Sequence, residues 1–227
     1  ELYEDVRRFA AGLQALGLEP GDRVGLYLAN SPQFAIAYLG ILWAGGVVVP
    51  VSPLYTSHEL RHQLADSGAR FLVVQDALLE NAQRAGVDLE GVVVVSLKEA
   101  LPAWQRLLVR GLPVPKGPGV YPFAHLLRAE PMAAPVSRGP EDLAALPYTG
   151  GTTGLPKGVE ITHGNLLAAH RMIQSFNPFT ERSTVLAFLP FYHIYGQVVL
   201  LLGGLLSGAR LLLFSTPDPD WILEALV

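Results

Sequence analysis

Between residues 23 and 96 the sequence changes its hydrophobic period repeatedly, and this switching limits the fold more than any other feature. Short apolar runs, Arg23 to Leu28, Val47 to Val51, Phe71 to Val74 and Val92 to Val95, alternate with segments bordered like helices. Asn30 or Ser31 is placed to cap the first of these, with Pro32 in its opening turn and Gly45-Gly46 at its end. Thr56-Ser57-His58-Glu59 reads as a capping box that opens a second helix reaching about Asp66, and Ala77 to Ala85 is a third. The run at 47 to 51 is continuously apolar, as in a strand covered on both faces. The alternation predicts an α/β fold: an open, mostly parallel sheet flanked by helices on both faces. Upstream, Leu2, Val6, Phe9, Leu13 and Leu16 recur at steps of four and three, one face of an amphipathic helix.

Residues 99 to 140 change character. Prolines at 102, 113, 115, 118, 122, 131, 135 and 140 read as a surface connection with short helices around Trp104 and His125. Regular structure resumes with a strand at Leu143 to Tyr148. A short strand at Val159 to Ile161, a helix from Gly164 to Ser175 and a strand at Thr184 to Phe188 follow. Then come a buried helix at Gly196 to Leu206, a strand at Arg210 to Phe214 and a helix starting at Asp220. The most apolar stretch, Val198 to Ala209, is shorter than the roughly 20 residues a membrane span needs. The formal net charge of −4 argues against electrostatic binding of nucleic acid. The absence of cysteine excludes disulfides and thiolate chemistry and suits a cytoplasmic location.

The chemistry concentrates in Tyr148-Thr149-Gly150-Gly151-Thr152-Thr153-Gly154-Leu155-Pro156-Lys157-Gly158. Glycines let the backbone approach a ligand closely, and successive N–H groups then form a nest for anionic oxygens. The hydroxyls of Thr149, Thr152 and Thr153 add donors, and Lys157 adds a positive charge. A triphosphate suits this donor set. Hydrogen bonds to charged groups contribute roughly 1.5–3 kcal/mol each, so three or four hold a nucleotide at about micromolar strength after binding costs. The loop is not a Walker A motif, because Leu155 and Pro156 separate Gly154 from Lys157 and Gly158 follows.

The segment resembles the phosphate-binding signature of the adenylate-forming superfamily, which includes acyl-CoA synthetases, peptide-synthetase adenylation domains and luciferases. It agrees at Tyr148, Thr149, Gly151, Thr152, Thr153, Gly154, Pro156, Lys157, Gly158 and Val159, and departs at Gly150, where the family usually has Ser. Three more stretches are similar to family segments. Leu189-Pro190-Phe191-Tyr192-His193-Ile194-Tyr195-Gly196 is like the segment beside the acyl pocket. Ala44 to Val51 is like an early core strand, and Ile161 to Leu166 like the helix start after the phosphate loop. The resemblance covers nearly the whole chain, least well at 99 to 140.

The resemblance implies ATP-dependent joining of a carboxylic acid to AMP, with Mg²⁺, followed by transfer to coenzyme A. It implies that Thr149, Gly150, Gly151, Thr152, Thr153, Gly154 and Lys157 hold the β- and γ-phosphates. His193 then stands near the α-phosphate and the substrate carboxylate. It also implies the N-terminal part of the acyl-CoA synthetase fold, with residues 23–175 in one α/β lobe. Residues 1–22 and 180–227 would belong to a second, incomplete lobe whose apolar surface invites self-association. The family's Gly-Thr-Glu segment, its ribose-binding aspartate and its C-terminal lysine would all lie beyond residue 227, so the chain is expected to be inactive alone.

The apolar character of 191 to 206 favours a medium- or long-chain fatty acid. An amino or aryl acid, a non-catalytic nucleotide-binding module and a phosphotransferase using the same loop remain alternatives. His58, His62, His125, His163 and His170 are read as structural or solvated. No metal ligands are assigned, because the four-residue spacing of His58 and His62 lacks a third partner.

Overall fold

The structure, a computed structural model, describes residues 1–96, 98, 117–150, 155–176, 178–215 and 218–225. The short helix expected around Trp104 lies outside the described residues. Helix α1 (Leu2–Ala15) precedes β1 (Arg23–Tyr27), α2 (Pro32–Trp43), β2 (Val47–Pro50), α3 (Ser57–Ser67), β3 (Ala69–Gln75), α4 (Leu79–Ala85) and β4 (Gly91–Val95). After the proline-rich stretch come β5 (Val120–Pro122), α5 (Phe123–Leu126) and β6 (Leu143–Ala145). Seven strands form one sheet in the order β5-β4-β3-β1-β2-β6-β9, where β9 is Ile161–Thr162. Every pair is parallel except β6 with β9.

Alternation of side chains along β3 shows how both faces are covered. Phe71 and Val73 join the core under α1, α2 and α5, which includes Phe9, Phe34, Tyr38 and Phe123. Leu72 and Val74 join the opposite core, with Leu60 and Leu64 of α3 and Leu79 of α4. The rings of Phe9 and Phe123 stack at 4.8 Å, which locks α1 to the short helix after β5. Burying one such aromatic ring stabilises the fold by about 1.5–3 kcal/mol.

Local signals explain the helix borders. Ser31, not Asn30, caps α2, its hydroxyl accepting from the amide of Phe34. In α3 the Thr56–Glu59 capping box is formed in both directions, and Gly68 closes the helix in the left-handed conformation at φ 64°. Those Thr56 hydrogen bonds hold the Glu59 carboxyl below its ordinary range, with His58 adding to the effect.

Two expected strands have different borders. Leu143 to Tyr148 splits, because Pro147 offers no N–H to continue the ladder. Tyr148–Thr149 becomes β7, paired antiparallel with β8, Lys157–Gly158. Of the expected strand at Val159 to Ile161 only Ile161 lies in a strand, at the start of β9; Val159 and Glu160 fall between β8 and β9, and the Val159 amide donates to the Pro147 carbonyl. Strand β5 was not expected at all: it has three residues, ends in a proline and sits on the sheet edge.

The helix α6 (His163–Phe176) leads to a second, two-stranded sheet of β10 (Thr184–Ala187) and β11 (Arg210–Leu213), in parallel. The expected buried helix joins them, π-helical over Gly196–Leu202 and α-helical over Gly203–Leu206. Phe191, after β10, is fully buried against Phe34 at a ring distance of 5.5 Å, so the second sheet docks on α2.

Candidate active site

A cleft of about 250 Å³ opens beyond the carboxyl ends of the strands. Ala29 and Asn30 after β1, Leu54 after β2, Phe188 and Tyr192 after β10 and Phe214 after β11 all line it. Ligands of open α/β sheets bind at this end, where the strand order reverses. Here β1 lies between β2 and β3, so the reversal falls beside the cleft. Through Pro190 and Tyr192 it adjoins a second cleft that His193 and Tyr195 share.

His193 is exposed in the turn between β10 and the helix that follows. Its backbone amide donates to the Pro190 carbonyl at 3.1 Å, and its carbonyl accepts from Gln197 at 3.0 Å. The ring Nδ1 accepts from the Tyr195 amide at 3.3 Å. That contact requires Nδ1 to be unprotonated, so the neutral ring carries its proton on Nε2, free to donate. The turn closes tightly. A Cβ on Gly196 would stand 2.1 Å from the Pro190 carbonyl oxygen, so only glycine fits.

Sequence reasoning treated Asn30 only as a cap. In the structure it is buried and ties two sheets together. Its Nδ2 donates to Ala187 at 3.1 Å and Leu189 at 2.9 Å, and its Oδ1 accepts from the Phe191 amide at 2.7 Å. An Asn followed by a helix cap is a common pattern, so nothing local in the sequence marked this role.

The glycine-rich loop leaves the body on the β7–β8 ribbon. Thr149 and Lys157 are direct cross-strand partners, both exposed, and Gly150 follows Thr149. Gly151, Thr152, Thr153 and Gly154 lie outside the described residues. The ribbon thus brings Thr149 and Lys157 together. His193 comes from the second sheet, and its ring hydrogen bond goes to its own turn.

An exposed hydroxyl paired with an exposed ammonium fits an anionic phosphate. Among the described residues no three His, Cys, Asp or Glu side chains gather to hold a metal. His62, one of the two histidines at metal-ligand spacing, has its Nε2 engaged with the Pro156 carbonyl at 2.9 Å. His163 is half-buried, and burial followed by the nearby Arg138 charge pushes its pKa down. Among the described residues no helix is long and apolar enough to cross a membrane.

A family model described as AMP-binding enzyme matches residues 1–227. The long-chain-fatty-acid–CoA ligase of Bacillus subtilis is 34% identical over 96% of this chain and 42% of its own length. The 4-coumarate–CoA ligase 4 of Arabidopsis thaliana is 33% identical over 99% of this chain and 39% of its own length. The crystal structure of ATP-bound MatB from Rhodopseudomonas palustris superposes with a TM-score of 0.83 at 29% identity, covering 100% of this chain and 41% of that one. The chain therefore spans about two-fifths of the length of the curated relatives it matches.

Proposed function

The chain belongs to the AMP-binding enzyme family, and from that premise we propose that it carries the phosphate grip and the acid-facing turn of an ATP-dependent acid–CoA ligase. The observation that supports this most is the cross-strand pairing of Thr149 with Lys157 at the base of the glycine-rich loop. In the proposed reaction a carboxylate oxygen attacks the α-phosphorus of ATP. The bond to the bridging oxygen breaks, and pyrophosphate leaves with the electron pair. The thiol of coenzyme A then displaces AMP from the acyl group, losing its proton.

Thr149, Lys157 and the loop from Gly150 to Gly154, with Thr152 and Thr153, hold the β- and γ-phosphates, where negative charge accumulates on the departing group. His193 donates its Nε2 proton in a hydrogen bond to an anionic oxygen of the carboxylate or α-phosphate. Mg²⁺, when bound, neutralises phosphate charge.

We infer a medium- or long-chain fatty acid as the substrate, supported by the apolar residues 191 to 206 and by the fatty-acid ligase relative. An aryl acid is the second reading, favoured by a 4-coumarate ligase of nearly equal identity. The chain spans about two-fifths of the length of these relatives, and we expect it to be silent on its own.

The test is ATP–pyrophosphate exchange with a panel of fatty, aryl and amino acids. It is run on this chain and on the longest natural polypeptide that contains it. Exchange with fatty acids in the longer polypeptide supports the reading, and aryl-acid exchange moves it to the second. Release of ADP instead of AMP, or silence with every acid despite ATP binding, overturns it. Lys157→Ala is expected to weaken Mg·ATP binding about tenfold, roughly the loss of one charge-assisted hydrogen bond; unchanged affinity by calorimetry would remove the phosphate assignment.

A further inference from the structure

Two side chains of α3 reach across to the ribbon that carries Thr149 and Lys157. The His62 Nε2 lies 2.9 Å from the Pro156 carbonyl oxygen, and the Tyr148 hydroxyl donates to the Asp66 carboxylate at 2.6 Å. The His62 ring also stands edge-on to Tyr148, with centroids 6.4 Å apart. Pro156 immediately precedes β8, and Tyr148 begins β7, so each grip falls on a different strand. His62 and Asp66 are four residues apart and share one helix face.

The chemistry of both grips is stable. A carbonyl only accepts, so His62 must donate from a protonated Nε2, which the neutral and the charged ring both offer. Burial first, then the hydrogen bond to Asp66, pushes the Tyr148 hydroxyl above its ordinary range, so it stays a donor. The helix behind them is fixed at its start by the capping box and along its length by buried Leu60 and Leu64. Its Gln63 amide also donates to the Pro50 carbonyl at the end of β2, at 2.9 Å. A well-anchored helix therefore contacts both strands of the ribbon at the root of the loop.

We propose that α3 is a positioning platform for the phosphate-binding loop, with His62 and Asp66 as positioning residues that set the separation at which Thr149 and Lys157 meet the phosphates. This rests on the phosphate reading of the loop. The Asp66 carboxylate is exposed and the His62 grip half-buried, so removing them is expected to act more on the ribbon than on the core.

The test compares the native protein with His62→Leu, Asp66→Ala, the double variant and the donor-preserving His62→Gln, using this chain and the longest natural polypeptide that contains it. Hydrogen exchange at Lys157 to Val159 without ligand reads the grip, calorimetry with Mg·ATP reads the phosphate site, and thermal melting reads the fold. The double variant is expected to exchange faster there and to bind Mg·ATP about tenfold more weakly, equivalent to about 1.4 kcal/mol. His62→Gln should restore binding to within about twofold of native, since its amide donates to the same carbonyl. In the longer polypeptide the KM for ATP should rise while that for the acid stays.

Native-like Mg·ATP affinity in the double variant overturns the proposal. So does a fall in melting temperature that lowers ATP and acid parameters together. If the native protein binds no Mg·ATP, the phosphate reading fails. Faster exchange in the variants would then show a grip without that purpose, which also overturns the platform.

Discussion

The seven-stranded and two-stranded sheets are made of similar apolar residues but are covered very differently. All four residues of β2 are buried, and so are positions 24 to 27 of β1. In β11 the residues alternate between exposed and half-buried, and Leu212 is 40% exposed. The large sheet lies between two helical layers, whereas the small one is lined by the helix from Gly196 to Leu206. The candidate chemistry sits on the less covered structure: the His193 turn and the β7–β8 ribbon. Each is fastened to the large sheet's layers by a few polar contacts, Asn30 for the turn and His62 with Asp66 for the ribbon. Stability and chemistry are thus housed apart, and local opening near the site need not cost the whole fold.

The sharpest challenge to this division is a matched pair of truncations. Leu26→Ala in β1 removes a fully buried side chain and is expected to cost about 3–4 kcal/mol, within the range for core leucines. Leu212→Ala in β11 should cost under about 1 kcal/mol, because much of that side chain already meets water. Urea denaturation of both variants measures the gap. Equal losses would mean that the small sheet is as integral to the fold as the large one.

One point of the second region is expected to be intolerant. Gly196→Ala drives a methyl group into the Pro190 carbonyl, with its oxygen at 2.1 Å and its carbon at 2.7 Å. Backbone cannot rotate aside as a side chain can, so a cost of about 3 kcal/mol is expected, the upper end for overpacking. Exchange of the Gln197 amide, which caps back onto His193, should rise in the same variant. A native-like melting curve would show that the turn is looser than its contacts imply.

Asn30→Ala tests the fastening itself. It leaves two carbonyls and one amide without their buried partner, at a cost of about 2 kcal/mol, since some of these groups recover a water. Asn30→Asp should not rescue it, because a carboxylate cannot donate to Ala187 and Leu189. If Asp behaves as native in denaturation and in exchange at Phe191, the two donated bonds contribute nothing.

Much of the large sheet was legible because each of its devices is local. A capping box, an N-terminal proline and a continuous valine run declare themselves within a few residues, and Thr56–Glu59 formed as the pattern required. What stayed hidden depends on distance along the chain. Asn30 binds partners near residue 189, and His62 binds one at 156, separations that no periodicity encodes. The break at Pro147 was readable in principle, since a residue without an N–H cannot sit inside a strand that must donate. The loop's residue types read as a phosphate site, whereas the contacts between its ribbon and α3 were a property of the folded chain alone.

The smallest expected effect concerns the position where the loop departs from its family's pattern. Among the described residues, a Cβ on Gly150 would meet nothing within 4 Å, and the backbone there is not in the left-handed region that glycine alone favours. Gly150→Ser should therefore change stability by less than about 0.5 kcal/mol, as for other unconstrained surface positions. What it adds is a hydroxyl beside Thr149, at the mouth of the ribbon. If that hydroxyl faces the phosphates, Mg·ATP affinity should tighten by about threefold to tenfold, the net worth of one hydrogen bond. The same substitution in the His62→Leu, Asp66→Ala background should give less, because a hydroxyl on an unsteadied loop spends less time facing its target. A gain in both backgrounds alike would mean that Gly150 lies on a part of the loop that α3 does not control. No gain in either would mean that the glycine's amide, and not a side chain, is what this position offers the phosphate.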